Sequence, residues 1–318
     1  MGVYVNEKRQ RRLHTPKGYY GMVLHTLGDS GFIRLADGRA LHVMKAGIGG
    51  PTVVFESGLG ASRSEWGLVQ PLVARQFSTV VYDRANLGRS DDDGAPRTLE
   101  RLTHDLGELL DALDAAPYIL VGHSYGGTIA LATAAQNRSD VAGLVLVDHS
   151  DEQLDVCCGP SLKRLHMLAL AGRWSTDALR RLHLLPLAVR RAAPGMPADV
   201  VDDLVAEDLT VRARQAAETE EEFFLQGLAS LRRRPPKLGD MPVTVISATR
   251  STLIDRSIRK AFLGAHEQAA ARLGARLVKA RKSGHQVVFT EPHLVADEII
   301  RIAGAPSSPR DIASHPIP

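Results

Sequence analysis

The chain has 318 residues, of which 44% are hydrophobic and 24% are charged, which is enough for one large α/β domain with an inserted subdomain or for two small domains. A formal net charge of only +3 argues against nucleic acid as the main partner. No run of about 18 apolar residues occurs, so the sequence predicts no integral membrane segment.

The two cysteines of the chain, Cys157 and Cys158, are adjacent in sequence. A disulfide between neighbouring cysteines would do little to stabilise a fold, so a disulfide-based scaffold is not expected. This arrangement favours a reducing compartment, and we expect a cytoplasmic protein. A zinc site at this pair would need other ligands at metal spacing, and we find none, so we expect no metal site there. The basic N-terminus is not followed by an apolar stretch and therefore does not predict a signal peptide.

Short apolar runs alternate with helical patterns along most of the chain, which is typical of a mostly parallel sheet with right-handed crossovers. Asp37-Gly38 predicts a hairpin between the first two strands. The clearest helix begins after Thr98 as N-cap and extends to Asp114, with leucines repeating on one face. The later strands lack polar alternation, as expected when helices cover both faces of the sheet. The predicted strands are 32–35, 41–45, 52–56, 79–82, 118–122, 143–147, 243–247 and 276–279.

One segment breaks the alternation of strands and helices. Residues 151–240 are helical in pattern and punctuated by prolines, which indicates a helical cap inserted after the strand that ends at Asp148. The fold class is therefore α/β, with a mostly parallel central sheet, flanking helices and a cap. The predicted divisions are an N-terminal extension at 1–29, a core at 30–150 and 241–304, the cap at 151–240, and a loose Pro/Ser-rich tail at 305–318.

The strand at 118–122 runs directly into Gly122-His123-Ser124-Tyr125-Gly126, a Gly-x-Ser-x-Gly motif followed by a small-residue helix. A serine at such a sharp strand-to-helix turn sits in strained geometry with its hydroxyl pushed out of the sheet. The residues two before and two after it must be small, and both are glycine. This context favours a catalytic nucleophile over an ordinary turn.

Several segments, taken in order and spacing, resemble the α/β-hydrolase fold superfamily over about residues 30 to 303. The closest resemblance is to cap-bearing serine hydrolases, which include esterases and proline-iminopeptidase-like enzymes. Two positions depart from the usual pattern: Ser57-Gly58 stands where many relatives have His-Gly, and Ala85-Asn86 replaces the usual glycine after Arg84. Either change could reshape the pocket. The segments that carry the resemblance are 55–60, 82–90, 122–127 and 283–285.

The resemblance implies a role for each site residue. Ser124 would be the nucleophile, and His285, in a Ser-Gly turn after the last strand, would be its base. The backbone N–H groups of Leu59 and Tyr125 would form the oxyanion hole. His123, next to the nucleophile, is interpreted as a packing or hydrogen-bonding residue.

The acid of the proposed triad has two candidates. Asp255 follows the strand at 243–247, which is the usual position, whereas Asp148 ends the preceding strand, as in a known variant of the superfamily. We favour Asp148 over Asp255. The structural alternatives are a turn-capping role for Asp148 and a helix N-cap for Asp255.

These residues predict an enzyme that hydrolyses a small or medium carboxylic ester, or less favourably an amide, through an acyl-Ser124 intermediate. Its partner would be a small-molecule substrate, and the reaction would need no cofactor and no metal. Carbon–carbon bond hydrolysis, peroxidation and lyase chemistry on the same triad stay open, as does a non-catalytic ligand sensor on the same fold. Haloalkane dehalogenase and epoxide hydrolase chemistry is disfavoured, because both need a carboxylate nucleophile at position 124.

The predicted cap alternates apolar stretches with arginines. A basic rim would attract anionic substrates or allow peripheral contact with a lipid surface, but a solvated arginine face on an amphipathic lid is favoured. The glutamate-rich run at 218–222 is interpreted as a solvated helix face.

Overall fold

The structure, a computed structural model, describes residues 4–5, 25–136, 138–154, 179, 183–252 and 255–305. The strands of this part of the chain are β1 Tyr4–Val5, β2 Asp29–Arg34, β3 Ala40–Ala46, β4 Thr52–Glu56, β5 Thr79–Tyr82, β6 Tyr118–His123, β7 Val141–Val147, β8 Val243–Ala248 and β9 Arg276–Ala280. Together these described strands form one nine-stranded sheet in the order β1-β2-β3-β5-β4-β6-β7-β8-β9.

The sheet is mostly parallel, as the sequence predicts. The β1–β2, β2–β3 and β3–β5 pairs are antiparallel, whereas every pair from β5 to β9 is parallel. The predicted hairpin joins β2 to β3 and pairs Arg34 with Ala40. Its turn uses Gly38 at a φ of +93°, a left-handed conformation that glycine adopts without steric penalty.

Helices cover both faces of the sheet. Alternate residues of β4 point to opposite sides: Val53 and Phe55 belong to one apolar core, and Val54 belongs to the other. Strands buried on both sides need apolar residues at every position, which explains their unbroken apolar sequences. The described helices are α1 Gln70–Val73, α2 Leu99–Leu113, α3 Tyr125–Ala134, α4 Leu185–Ala192, α5 Ala198–Asp203, α6 Val211–Arg233, α7 Arg256–Leu273, α8 Val287–Thr290 and α9 Pro292–Ala303, with a 3₁₀ turn at Arg63–Trp66 and a π-helix at Leu204–Asp208.

The predicted helix between Thr98 and Asp114 is α2. The Thr98 hydroxyl accepts a hydrogen bond from the Arg101 N–H at 3.2 Å, which satisfies one unpaired donor at the start of the helix. Asp114 ends the helix in the left-handed region with a φ of 46°. The leucines of α2 lie buried against the sheet, as their spacing predicts.

The β7–β8 connection, residues 148–242, contains α4, α5, the π-helix and α6. Its described part is thus helical, while the boundaries of a separate cap stay a prediction. Arg190 and Arg191 are exposed at the end of α4. None of the described helices combines the length and apolarity that crossing a membrane requires. Predicted features outside the described residues are Cys157 and Cys158, most of the N-terminal extension, the tail beyond residue 305, and four arginines of the predicted basic rim of the cap, Arg164, Arg173, Arg180 and Arg181.

The strand order creates a crevice between the carboxyl ends of β4 and β6. From β4 the chain moves to β5 on one side and then crosses to β6 on the other. Loops leaving neighbouring parallel strands in opposite directions diverge, and ligands of open α/β sheets bind at such switch points. The loop after β4 and the turn at Ser124 both lie there.

The buried face of α2 gives a test of this packing. Leu106 is 0% exposed, so Leu106→Ala should lower the free energy of unfolding by about 2–5 kcal/mol through lost burial and a residual cavity. Leu187 in α4 is 65% exposed, and Leu187→Ala should change the unfolding free energy by less than about 0.5 kcal/mol. Urea denaturation measures both; equal effects would contradict the packing described.

Candidate active site

The turn at Ser124 is built on close backbone approach. Ser124 has a φ of 53° and a ψ of −122°, a strained conformation for a non-glycine residue. A Cβ on Gly122 would lie 2.4 Å from the Gly126 carbonyl oxygen, and a Cβ on Gly126 would lie 2.3 Å from that of Glu56. Only glycine fits at these positions, and the fit places Ser124 at the N-terminus of α3, where partial positive charge collects.

The structure brings Ser124, His285 and Asp148 into one hydrogen-bonded chain. His285 lies between β9 and α8, with its Nε2 2.9 Å from the Ser124 hydroxyl oxygen. Its Nδ1 lies 2.7 Å from a carboxylate oxygen of Asp148. The His285 side chain is 36% exposed, whereas Asp148 is fully buried, so the chain of bonds leads from the protein interior to an accessible hydroxyl.

The two acid candidates occupy different surroundings. Asp148 follows β7 with a φ of 42° and also accepts hydrogen bonds from the Ala248 N–H at 2.9 Å and from Arg259 Nη1 at 2.7 and 2.8 Å. Asp255 instead accepts from the backbone N–H and hydroxyl of Thr252. The structure therefore brings Asp148, and not Asp255, to the imidazole.

The charge states of Asp148 and His285 are set by burial and by the groups that contact them. Burial acts to raise the pKa of Asp148, but the hydrogen bond from His285 and the nearby Arg259 charge outweigh it and hold this pKa well below its usual range. Burial lowers the pKa of His285, and the bond to Asp148 opposes this only in part. At neutral pH the arrangement is thus an ionised carboxylate beside a neutral imidazole.

The loop after β4, residues 57–60, lies against Ser124 and is called here the oxyanion loop. A Cβ on Gly58 would lie 3.5 Å from the Ser124 Cβ. The Gly58 N–H donates to Glu65 at 2.7 Å, and the Gly60 N–H donates to Glu220 at 2.9 Å. Within the described residues, the intervening Leu59 N–H has no acceptor, and neither has the Tyr125 N–H. Two free backbone donors beside the hydroxyl can bind a developing oxyanion.

The buried arginine Arg84 holds the oxyanion loop in place through hydrogen bonds to its backbone. The Arg84 guanidinium donates to the Ser57 carbonyl at 2.6 Å and to the Gly58 carbonyl at 2.7 Å. It also pairs with Glu56 at 2.6 Å and with Glu220 of α6 at 2.7 Å. The interpretation of run 218–222 as a solvated face is therefore wrong for Glu220, which is only 1% exposed, because the Arg84 charge requires a buried counter-charge there.

Sequence reasoning missed three other contributors to the site. Glu65 accepts hydrogen bonds from Gly58 and His123, Arg259 contacts the Asp148 carboxylate, and Glu220 reaches the oxyanion loop from α6. No local pattern marks these residues, since each has a partner at least 58 residues away in sequence. In the described part of the chain, no group of three or more His, Cys, Asp or Glu side chains is arranged to hold a metal ion.

Comparisons with known proteins give the family context of this geometry. The sequence profile of the alpha/beta hydrolase family matches residues 53–298. YqjL, an uncharacterised protein of Bacillus subtilis, is 39% identical over 114 residues, which cover 35% of this chain and 45% of that protein. The 2-hydroxy-6-oxononadienedioate/2-hydroxy-6-oxononatrienedioate hydrolase of Paraburkholderia xenovorans is 36% identical over 128 residues, which cover 37% of this chain and 44% of the hydrolase. The chain thus matches under half the length of these two curated relatives.

Among solved structures, that of a hydrolase from Pseudomonas aeruginosa PA01 is similar, with a TM-score of 0.62 at 25% sequence identity. The match covers 87% of this chain and 99% of that hydrolase.

The close backbone approach at the Ser124 turn predicts a steep cost in stability for one added methyl group. In Gly126→Ala, the new Cβ meets the carbonyl oxygens of Glu56 and Ser57, so we expect the unfolding free energy to fall by about 1–3 kcal/mol. Gly264→Ala in α7 is the control, because nothing lies within 4 Å of its Cβ, and it should stabilise by about 0.5–1 kcal/mol. Urea denaturation measures both variants, and a neutral Gly126→Ala would contradict the geometry.

Proposed function

Because the chain belongs to the alpha/beta hydrolase family, we propose that it is a serine hydrolase that cleaves small or medium carboxylic esters, or less favourably amides, through an acyl-Ser124 intermediate. One observation carries the proposal. The Ser124–His285–Asp148 hydrogen-bond chain, with links of 2.9 and 2.7 Å, ends beside the free N–H groups of Leu59 and Tyr125. A nucleophile, its base, an orienting acid and two oxyanion donors are what acyl transfer requires.

In the first half of the proposed reaction, the Ser124 hydroxyl oxygen attacks the substrate carbonyl carbon while its proton passes to His285 Nε2. The carbonyl oxygen becomes an oxyanion between the Leu59 and Tyr125 N–H groups. Collapse of this tetrahedral intermediate breaks the bond to the leaving group, which takes the proton from His285. The acyl group stays on Ser124.

In the second half, water replaces the leaving group. His285 takes a proton from the water as its oxygen attacks the acyl carbon, and the second tetrahedral intermediate uses the same two N–H donors. Its collapse releases the carboxylic acid and returns the proton to Ser124. Asp148 holds His285 with Nδ1 protonated and stabilises the imidazolium that forms in each half.

Chemical labelling tests whether Ser124 is an activated nucleophile. A fluorophosphonate probe should label the wild-type protein and fail to label Ser124→Ala and His285→Ala, because phosphonylation needs both the hydroxyl and its base. Absence of labelling in folded wild-type protein would exclude the mechanism and favour a non-catalytic ligand-binding protein. A panel of esters of increasing acyl length would then define the substrate range of a labelled protein.

The acid is tested with a matched pair of substitutions. Asp148→Asn should lower kcat by about 10⁴-fold, because an amide stabilises the wrong tautomer of His285 and no longer balances the imidazolium. Asp255→Asn should leave kcat within about twofold, since Asp255 contacts Thr252 and not the imidazole. The reverse ranking in steady-state ester hydrolysis would assign the acid to Asp255.

The protonation state of His285 sets the expected pH dependence. The base must be neutral, so activity is present above its pKa and is lost as the pH falls through it. Because burial lowers this pKa from 6.5, the acidic half-maximum of kcat/KM should lie below 6.5. The measurement is kcat/KM of a soluble ester across the acidic range, and a half-maximum above 6.5 would contradict this assignment.

A second candidate, hydrolysis of a carbon–carbon bond, is favoured by the similarity to the Paraburkholderia xenovorans hydrolase. The same serine and oxyanion donors can serve that reaction, because it also passes through attack on a carbonyl. Turnover of a 2-hydroxy-6-oxo dienoate substrate, measured against the ester panel, separates the two reactions.

A further inference from the structure

We propose that Glu65 and His123 form a buried ion pair that locks the oxyanion loop to the loop carrying His285, which makes His123 a positioning residue of the site. The inference rests on the proposed function for its catalytic consequence. The ion pair itself rests on the hydrogen bonds of His123 together with the ionised state of Glu65.

Both ring nitrogens of His123 face hydrogen-bond acceptors, an ionised carboxylate and a backbone carbonyl oxygen. Burial acts to raise the pKa of Glu65, but His123 and the Gly58 N–H outweigh it and lower this pKa, so the carboxylate is ionised. Nδ1 lies 2.8 Å from a Glu65 carboxylate oxygen, and Nε2 lies 3.0 Å from the backbone carbonyl oxygen of His285. A neutral imidazole has one N–H and would leave one nitrogen lone pair facing an acceptor lone pair. With both bonds made, the ring carries two protons and is an imidazolium, and it is buried beside the ionised Glu65.

The bonds of this pair reach three parts of the site. The second carboxylate oxygen of Glu65 accepts the Gly58 N–H at 2.7 Å, next to the oxyanion donor Leu59. His123 immediately precedes Ser124 at the end of β6 and holds the main chain of His285. The buried Glu65 carboxylate and the buried His123 cation thus join the oxyanion loop, Ser124 and His285.

Other buried histidines of the chain show that burial alone does not produce this state. His42 meets the Ser30 hydroxyl and His266 meets the Ser247 hydroxyl, and a hydroxyl can donate to a neutral ring. Burial lowers the pKa of His266 to about 4. Burial also acts to lower the pKa of His123, but Glu65 outweighs it and the pKa is raised.

The charge of His123 acts on the base. The rings of His123 and His285 have centroids 5.0 Å apart, and the other charged groups facing His285 are Asp148 and Arg259. Asp148 favours the charged form of His285, whereas His123 and Arg259 oppose it. Loss of the His123 charge should therefore raise the pKa of His285.

Nitrogen NMR of histidine-labelled wild-type protein tests the ion pair without reference to turnover. At about pH 7, above the ordinary histidine pKa of about 6.5, His123 should show two protonated ring nitrogens, while His266 shows one. His123→Gln and His266→Gln assign the signals. One protonated nitrogen on His123 at this pH would overturn the proposal, whether or not the protein hydrolyses esters.

Glu65→Gln tests the positioning role with little change of shape. Its amide can accept the Gly58 N–H and donate to His123 Nδ1, which leaves His123 neutral and still bonded to His285. We expect the His285 pKa, read by NMR, and the acid limb of kcat/KM to move to higher pH. We also expect kcat to fall at least about 10-fold with little change in KM, because small misplacements of reacting groups are costly.

Glu298→Gln in α9 is the matched control, since it removes a largely buried carboxylate remote from both loops. It should leave kcat and the pKa of His285 unchanged. If Glu65→Gln behaves like this control, the positioning role is overturned. If the NMR result holds but no serine labelling occurs, the proposed function fails while the ion pair stands.

Discussion

The site depends above all on one buried positive charge, the guanidinium of Arg84. A buried cation is tolerated only when its donors are matched by acceptors, and here Glu56, Glu220 and two carbonyls of the oxyanion loop supply them. These partners come from a strand end, a loop and a helix of the β7–β8 connection. The need to compensate the Arg84 charge therefore fixes how the end of β4, the oxyanion loop and α6 pack together. This packing determines the conformation of the oxyanion loop.

Around this anchor, backbone contact does much of the positioning. Gly122 and Gly126 let β6, α3 and the end of β4 approach more closely than any side chain would permit. The free N–H groups of Leu59 and Tyr125 are rigid because neighbouring amides are already bonded, and rigid dipoles stabilise charge without reorganising. Side chains then set the protonation state of His285. The Asp148 carboxylate lies on one side of this residue and the Glu65–His123 pair lies on the other.

The sequence predicts much of this architecture because its signals are local. Apolar runs identify the strands, leucine spacing identifies α2, and the glycines around Ser124 identify the sharp strand-to-helix turn. The choice between Asp148 and Asp255 is different, since each follows a strand and only the position of the imidazole distinguishes them. Glu220 shows the same limit: its run is locally indistinguishable from a solvated face, and its partner Arg84 lies 136 residues away.

The link between Glu220 and Arg84 also restricts how small molecules travel to and from the serine. Swinging α6 outward would take Glu220 away from the guanidinium and from the Gly60 N–H, and breaking such a buried pair costs about 3–5 kcal/mol. This end of α6 is therefore held against the oxyanion loop and Arg84. The proposed serine hydrolase would therefore have to admit its substrate without moving this part of α6.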